Sequence, residues 1–356
     1  MAARASRARG GPARARGIPV PGGGVRNAPV PSADPSSPRF SMTRISRPIA
    51  MTIGVFDGLH QGHQRVIAAT VEAARSSGGI AWVTTFDPHP DTIVRGAPPR
   101  PWITPPEERE ELLHAMGIDR VHVERFDRSV QTLPPEDFID RVLGVGAPLA
   151  ALIIGPDFRM GRDRVGDRAY LEALGRRRGF VVREVPFLMG ASGKLSSTTL
   201  RGLIEAGSVE EASSMLGRPY ALRGRVGSGA GRGAQLGYPT ANLEVHPEKL
   251  LPASGIYISN NNLLGAKWRG LTYVGRAETF GPGPVRVEVH LLDYEGRGSL
   301  RGRVLSTSLM RRIRGDRVFE GPEALIRAMD EDRARAAEYW SSIAAAPGPG
   351  SGNPPD

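Results

Sequence analysis

The feature that most constrains the fold is a regular alternation of short apolar runs and helical segments between residues 49 and 185. The predicted strands are 51–56, 81–86, 120–126, 151–155 and 180–185. The predicted helices between them are 64–76, 106–116, 134–143 and 167–178. Strands that alternate with helices of this length form a parallel sheet with crossover helices. We therefore predict an α/β domain whose ligands bind beyond the carboxyl ends of its strands.

The alternation stops near residue 218, where the chain changes to short extended runs separated by glycine-rich turns. The predicted strands are 220–226, 256–260, 271–274, 285–292 and 302–307, and one late helix follows at 322–340. This pattern is typical of a small antiparallel barrel or sandwich closed by a terminal helix. The predicted organisation is a domain at 49–205, a linker helix at 206–219, a domain at 220–342 and disordered tails at 1–48 and 343–356.

The net charge of +10 is concentrated in the first tail. Residues 1–48 hold nine arginines and one acid, so the remaining chain carries only +2. A nearly neutral body lacks the electrostatic footprint of a nucleic-acid-binding protein, and we expect no nucleic-acid partner. The absence of cysteine excludes disulfides, thiolate metal sites and a cysteine nucleophile. No apolar run is long enough for a membrane span or a secretion signal, so we expect a cytoplasmic protein.

The first predicted strand runs into GVFDGLHQGH, residues 54–63, and then into a helix. Such a connection presents free backbone N–H groups and the positive end of the helix dipole, which favours a phosphate. His60 and His63 can donate to phosphate oxygens and to negative charge that develops in a transition state. We predict a phosphate site here, although an ordinary turn is the alternative. The remaining positions expected to line it are Gly54, Phe56, Asp57 and Gly58.

Two further motifs follow strands and belong to the same predicted sheet edge. TFDPHP places His89 there, although an Asp-Pro-His-Pro sequence alone is typical of a simple turn. IGPDFRMG places Asp157 and Phe158 after the fourth strand, either as nucleotide or flavin contacts or as a polar loop with a packed phenylalanine. The residues alone leave both interpretations open.

The motif LSSTTLR precedes an apolar helix. Ser and Thr at this position indicate a helix N-cap by default. The functional interpretation adds hydroxyl and N–H groups around phosphates, which Arg201 would neutralise. The phosphate-binding candidates of this segment are Ser196, Ser197, Thr198 and Arg201.

The second half has its own glycine-rich segment, GSGAGRGAQLGYPTANL, residues 227–243. Gly229, Gly231 and Gly233 would let the backbone approach a ligand closely, although a flexible loop also explains them. Thr240 and Asn242 supply oxygen ligands of the kind that Mg²⁺ prefers.

The strand VEVHLLD carries the last candidate. Alternation places Glu288 and His290 on the face opposite the apolar residues of this strand. The Glu288 carboxylate could accept a hydroxyl proton there, and an ordinary exposed strand residue is the alternative.

Together these motifs resemble the bifunctional prokaryotic riboflavin kinase/FAD synthetase family. The resemblance covers about residues 52–340 and rests on the segments quoted above with LGRPY, in family order and spacing. HxGH alone marks the wider nucleotidylyltransferase superfamily, whereas HxGH with SSTxxR and PTAN is far more specific.

The resemblance implies a Rossmann-like nucleotidylyltransferase domain followed by a riboflavin kinase-like barrel. The barrel would phosphorylate riboflavin with ATP to give FMN, with Glu288 as the general base and Thr240 and Asn242 at Mg²⁺–ATP. The first domain would join FMN to the AMP moiety of ATP, giving FAD and pyrophosphate. There His60 and His63 would bind the ATP phosphates, and Ser197, Thr198 and Arg201 would form the loop that holds them.

The sequence departs from the family pattern at residues 273–280, at Met160 and at Arg301. The first departure lies in the kinase half, so an alternative is that only the adenylyltransferase is active. A different adenylyl- or cytidylyltransferase would leave PTAN and Glu288 without a role. A non-catalytic flavin-binding protein would leave the histidines without one, and an arginine tail for RNA would lack stacking aromatics. The sequence does not say whether copies of the chain associate.

Overall fold

The computed structural model describes residues 46–190, 193–229, 232–276, 285–294 and 299–345. Strands β1–β5 are Ile49–Ile53, Ile80–Asp87, Arg120–Arg125, Leu149–Ile154 and Val181–Glu184. Helices α1–α6 are Gln61–Ser76, Pro90–Val94, Pro106–Ala115, Arg128–Gln131, Pro135–Leu143 and Arg168–Arg178. The strands pair in parallel in the order β3-β2-β1-β4-β5, which confirms the predicted α/β architecture.

Strand β1 lies at the centre of this sheet and is buried along its whole length. Ile49 and Met51 pack in a core with α5 and α6, whereas Ala50 packs in a second core with α1 and α3. Helices thus cover both faces of the sheet, which explains why β1 is continuously apolar. The chain leaves β1 in one direction for β2 and β3 and in the other for β4 and β5, so the crevice between β1 and β4 is the topological switch point.

The segment after β5 connects the two halves. It contains the short strands β6, Met189–Gly190, and β7, Gly193–Lys194, and then the helices α7, Ser197–Ala206, and α8, Val209–Leu216. Gly207 separates the two helices with a φ of 79°, a left-handed conformation that glycine adopts without strain.

The second half is a closed antiparallel barrel in the order β10-β11-β12-β9-β8-β13, where β8–β13 are Tyr220–Val226, Ala241–Val245, Gly255–Leu263, Ala266–Gly275, Arg286–Leu291 and Val304–Gly315. Of the barrel and the sandwich that the sequence left open, the structure confirms the barrel. The predicted set of five strands was incomplete, because β9 is short and follows the glycine-rich segment that masks its alternation. The short helix α9, Arg232–Gln235, and the terminal helix α10, Pro322–Ala345, complete the half, and Trp340 of α10 packs on Ile258 and Leu271.

The core of the barrel extends beyond its own strands. A single cluster of buried side chains includes Leu200 and Ile204 of α7, Leu216 of α8 and barrel residues such as Leu222 and Leu305. Helices α7 and α8, which follow the sheet in the chain, therefore bury their apolar side chains in the core of the barrel.

A second contact joins the halves through the loop before α3. Trp102 N–H donates to Glu248 O at 2.6 Å, and Leu250 N–H donates to Trp102 O at 2.7 Å. Beside this bridge, the buried Lys249 amine binds the carboxylate of Glu108 at 2.6 Å and Ile103 O at 2.8 Å. The barrel loop and α3 are thus linked by backbone pairing and by a buried ion pair.

Most of the two predicted tails lies outside the described residues. Among the helices that the structure does describe, none combines the length and the apolar character needed to cross a membrane.

The Lys249–Glu108 pair should contribute measurably to stability. Lys249→Met keeps the length of the side chain but leaves the Glu108 carboxylate, 28% exposed, without its cation. Because Glu108 is partly exposed, we expect a loss of about 2 kcal/mol in the free energy of unfolding, below the roughly 3–5 kcal/mol for a fully buried pair that loses one partner. Denaturant unfolding measures this loss.

The matched control is Arg223→Met. Arg223 also links the barrel to α3, through Glu111, but both side chains are at least half exposed. Exposed pairs contribute less than about 1 kcal/mol, so this variant should unfold almost like the wild type. Equal losses in the two variants would contradict a special role for Lys249.

Candidate active sites

The connection from β1 to α1 forms the centre of the first site. His60 is the N-cap of α1, and its Nδ1 accepts a hydrogen bond from His63 N–H at 3.3 Å. An Nδ1 that accepts leaves the proton of the neutral ring on Nε2, which can donate to a ligand. Gly58 has a φ of 85°, and a Cβ there would lie 2.7 Å from Leu200, so both backbone and packing require glycine.

The two histidines form a stacked pair with ring centroids 3.8 Å apart. Burial lowers the pKa of His60 to about 4 and the pKa of His63 well below its ordinary value. Both rings are therefore neutral at pH 7. The Phe56 ring packs edge-on against His63, and His63 Nδ1 is buried without a hydrogen-bond partner among the described residues. The pair thus has a ring nitrogen left for a ligand.

Asp57 connects this loop to two other segments. Its side chain is almost fully buried, and Oδ1 accepts from Thr104 N–H at 2.9 Å while Oδ2 accepts from the Arg201 guanidinium at 2.9 Å. Burial raises the pKa of Asp57, and the Thr104 N–H and the Arg201 charge oppose that rise. Arg201 also donates to Pro101 O at 2.6 Å. The carboxylate expected at the phosphates is thus occupied in holding Arg201.

The amino terminus of α7 meets the same loop. Ser196 is the N-cap of α7, as its position before an apolar helix predicts, and accepts from Thr199 N–H at 3.1 Å. Ser197 donates to Asp57 O at 2.8 Å, while Thr198 is exposed. The structure therefore brings the SSTxxR segment against the HxGH loop, with two helix amino termini at one site.

His89 lies at the carboxyl end of β2, beside the end of β1. Its Nδ1 accepts from Asp91 N–H at 3.1 Å, which makes it the N-cap of α2. Burial lowers the pKa of His89, and the charges of Asp57 and Arg201 also act on it. This placement agrees with the prediction that His89 lies at the same edge of the sheet as His60 and His63.

The loop after β4 forms the opposite side of the switch point. Asp157 and Phe158 line a cleft of about 790 Å³ together with Arg159 and Arg168. Phe158 also packs against the core that contains α5 and α6. The cleft follows β4, the strand that pairs with β1, and every residue that lines it lies between Pro156 and Glu172.

Sequence reasoning missed Arg109, which supports the loop from behind. Its side chain is fully buried in α3 and donates to Val55 O at 2.9 Å and to Phe86 O at 3.4 Å, while its guanidinium lies 4.7 Å from the Trp102 ring centre. Arg109 thus joins the ends of β1 and β2. No sequence signal reveals it, because a charged residue in an amphipathic helix normally indicates the solvent face.

The second site lies on the barrel and is built on β12 and β9. Val287 and Val289 are buried in the barrel core, so Glu288 between them faces outward, as its alternation predicts. Glu288 Oε2 accepts from the Thr240 hydroxyl at 3.2 Å, and Asn242 is the register partner of Glu288 on β9. Glu288, Thr240 and Asn242 therefore form one contiguous group of side chains whose oxygen atoms could bind a cation.

The glycine-rich segment lies against this group. A Cβ on Gly229 would lie 1.9 Å from Asn242 Nδ2, and a Cβ on Gly233 would lie 2.4 Å from Tyr238 O. Gly231 lies outside the described residues. A cavity of about 750 Å³ extends from Gly229 and Asn242 to Lys249. The barrel therefore offers a backbone cradle beside its oxygen donors.

His290 lies next to Glu288 on the same outward face of β12. Its Nδ1 lies 2.9 Å from Pro239 O, and burial lowers its pKa. This contact holds the Pro-Thr segment that carries Thr240 against β12. Among the described residues, no group of three or more histidine, aspartate or glutamate side chains is arranged to hold a metal ion.

Family models match both halves of the chain, in the order of the two sites. The model described as FAD synthetase matches residues 42–199, and the model described as riboflavin kinase matches residues 216–340. Nothing in these matches favours the alternative in which the barrel is non-catalytic.

Individual proteins and a solved structure are similar to the chain over most of its length. A bifunctional riboflavin kinase/FMN adenylyltransferase of Pseudomonas fluorescens is 34% identical, covering 80% of this chain and 91% of that protein. A protein of the same description from Bacillus subtilis is 30% identical, covering 82% and 93%. A crystal structure described as a macrolide-efflux protein from Streptococcus pneumoniae has a TM-score of 0.71 at 28% identity, covering 82% and 94%. The chain therefore belongs to the family of bifunctional riboflavin kinase/FMN adenylyltransferases.

Proposed function

We propose that the chain catalyses two consecutive ATP-dependent reactions on flavins. In the barrel, the 5′-hydroxyl of riboflavin attacks the γ-phosphorus of ATP, giving FMN and ADP. At the sheet edge, a phosphate oxygen of FMN attacks the α-phosphorus of ATP, the bond to the β-phosphate breaks, and FAD and pyrophosphate form. Riboflavin, FMN and ATP are the small-molecule partners of this proposal.

The adenylyltransferase proposal rests mainly on the stacked His60–His63 pair at the amino terminus of α1. Neutral imidazoles donate hydrogen bonds to phosphate oxygens without carrying a charge that the buried site would penalise. The helix dipole and the free N–H groups of the first turn attract the same oxygens. The donors are fixed before the reaction, and such preorganised donors stabilise charge that develops at the α-phosphorus.

Arg201 supplies the positive charge that the histidines lack. The Asp57 carboxylate and Pro101 O orient its guanidinium, so in this proposal Asp57 positions Arg201 rather than touching phosphate. Ser196 and Thr198 then offer hydroxyl groups, and the first turn of α7 offers backbone N–H donors, whereas the Ser197 hydroxyl donates to Asp57 O and ties this turn to the loop. Asp157 and Phe158 line the cleft in which this proposal puts the flavin or the nucleotide base, and His89 would contact the nucleotide from the end of β2.

The kinase proposal rests on the Glu288–Thr240 contact. Glu288 faces outward from a buried strand and is only partly exposed, so its carboxylate can accept the proton of a hydroxyl that enters the site. Gly229 and Gly233 leave the backbone free to approach the phosphates, and we extend this role to Gly231 from the motif.

The donor set of the barrel also fits Mg²⁺. Hydroxyl, amide and carboxylate oxygens are the ligands this hard cation prefers. The Asn242 amide nitrogen packs where a side chain of Gly229 would lie, and the amide oxygen stays further from that position. Thr240 and Asn242 would hold the ion with the phosphates of ATP. When bound, Mg²⁺ neutralises phosphate charge during transfer.

Removing one histidine should separate the two reactions. His63→Ala deletes a preorganised donor, so we expect FAD formation to fall at least about 100-fold. FMN formation by the same preparation should be unchanged, because the barrel does not contain His63. Chromatography of the flavins formed from riboflavin, ATP and Mg²⁺ measures both.

His114→Ala is the control for histidine loss. His114 lies on α3 and contacts Ile118 O, so both products should form at wild-type rates. FAD formation that survives His63→Ala would contradict the proposed site.

The reverse separation should follow from Glu288→Gln. The amide can still accept from Thr240 but cannot take the hydroxyl proton, so we expect FMN formation to fall about 100-fold or more. FAD formation from supplied FMN should remain, and it serves as the folding control. An unchanged rate of FMN formation would exclude Glu288 as the base.

The neutral state of the histidines has a consequence for pH. Because burial holds the pKa of His60 at about 4, below its ordinary 6.5, the folded chain binds fewer protons than the unfolded chain between these values. The stability that neutral His60 contributes is therefore present above pH 6.5 and is lost as the pH falls towards 4.

His60→Asn tests this pH dependence because asparagine preserves the N-cap but does not titrate. Between pH 7 and pH 5 the wild type should lose about 2 kcal/mol more unfolding free energy than the variant. Denaturant unfolding at the two pH values measures the difference, and equal losses would contradict a buried neutral His60.

A further inference from the structure

The turn that presents His60 is strained. Gly58 and Leu59 both have left-handed backbone conformations, with φ values of 85° and 48°. Leucine adopts this conformation at a cost, so it persists only where the surroundings hold the backbone in place. Hydrogen bonds to the carbonyl groups of Gly58 and Leu59 hold the turn in this conformation.

A residue from the other half of the chain binds both carbonyls. Arg218 Nη2 donates to Gly58 O at 2.9 Å, and Arg218 Nη1 donates to Leu59 O at 3.2 Å. Arg218 lies in the LGRPY motif, two residues before β8, within the segment that the riboflavin kinase model matches. The only other side chain among the described residues that binds these carbonyls is Gln64, which donates to Leu59 O at 2.9 Å.

The charge of Arg218 is directed at the loop. Burial lowers its pKa and the charge of Glu108 opposes that fall, but no carboxylate among the described residues lies within ion-pair distance of its guanidinium. Its guanidinium donates instead to carbonyls, including Leu216 O at 3.4 Å at the end of α8. A partly buried cation without a paired anion adds positive potential behind the loop, where the nucleotide phosphates would bind.

The bound carbonyls belong to peptide groups whose N–H groups are those of Leu59 and His60. A charge-assisted hydrogen bond to a carbonyl polarises the whole peptide group and strengthens its N–H as a donor. His60 N–H lies at the amino terminus of α1, where helical N–H groups have no intrahelical acceptor. Arg218 can thus act on the phosphate site through the peptide backbone.

We propose that Arg218 is a positioning residue for adenylyl transfer, supplied by the kinase half of the chain. It fixes the left-handed turn at residues 58–59, so that His60 and His63 lie in the orientation that the reaction needs. The N-terminal site is incomplete without it. This inference rests on the proposed adenylyltransferase activity of that site.

The test compares three variants of the full chain, each assayed for FMN formation from riboflavin and for FAD formation from FMN. Arg218→Ala should lower the kcat of FAD formation about 10- to 100-fold, since small misplacements of reacting groups have effects of this size. The KM for FMN should change by less than about twofold, because Arg218 does not belong to the proposed flavin contacts. Kinase activity should stay within about twofold of the wild type, because the barrel site does not contain Arg218.

Arg218→Lys and Arg223→Ala complete the set. Lysine keeps the charge and can donate to one carbonyl, so FAD formation should recover to a level between those of alanine and the wild type. Arg223 is an arginine of the barrel that also contacts the first half, through Glu111, without touching residues 58–59. Arg223→Ala should therefore leave both activities unchanged.

Three outcomes would overturn the proposal. Wild-type FAD formation by Arg218→Ala would show that the turn needs no support, and an equal fall of both activities would assign Arg218 a general structural role. A lysine variant no better than alanine would exclude charge-assisted donation to the loop. Failure of the wild type to form FAD would instead count against the proposed function, so the two failures are distinguishable.

Discussion

The buried carboxylate of Asp57 is the interaction on which the first site depends. It binds Thr104 from the loop before α3 and Arg201 from α7, while the carbonyl group of the same residue accepts from Ser197. Three segments separated by more than forty residues in sequence therefore meet at one side chain. The Asp57 carboxylate and the Arg201 guanidinium are both largely buried. Removing either of these two side chains would therefore leave the charge of the other uncompensated. The geometry of the loop and the orientation of Arg201 are thus set together.

The two halves of the chain are packed into each other. On one side, α7 contacts the HxGH loop through Ser197 and α8 contacts α1 through Leu216 O, and on the other side both helices share the barrel core. The Trp102 bridge and Lys249 connect α3 with the barrel, and Arg218 connects the barrel with the loop before His60. A site that lies on the sheet is therefore shaped by residues from the barrel.

The two proposed sites use the same physical means on different folds. Each combines a backbone that can approach phosphates, either at a helix amino terminus or at a glycine cradle, with a few fixed polar side chains. Phosphoryl and nucleotidyl transfer depend mainly on positioning and on neutralising charge. A chain without cysteine can meet both needs, because backbone N–H groups, imidazoles, an arginine and oxygen donors are sufficient.

Local patterns in the sequence determined the alternation that builds the parallel sheet, the glycine turn before His60 and the outward face of Glu288, because periodicity and the strand-end rule act over a few residues. The HxGH and SSTxxR motifs, through their resemblance to the family pattern, also predicted that the histidines and the SSTxxR segment belong to one site. Only the tertiary structure decided the roles of Arg109, Arg218 and Lys249, which are charged residues in buried or partly buried positions. Their partners lie far away in the sequence, and a charge normally indicates the solvent face. Such residues acquire their function only when distant backbone carbonyls and carboxylates are brought to them by folding.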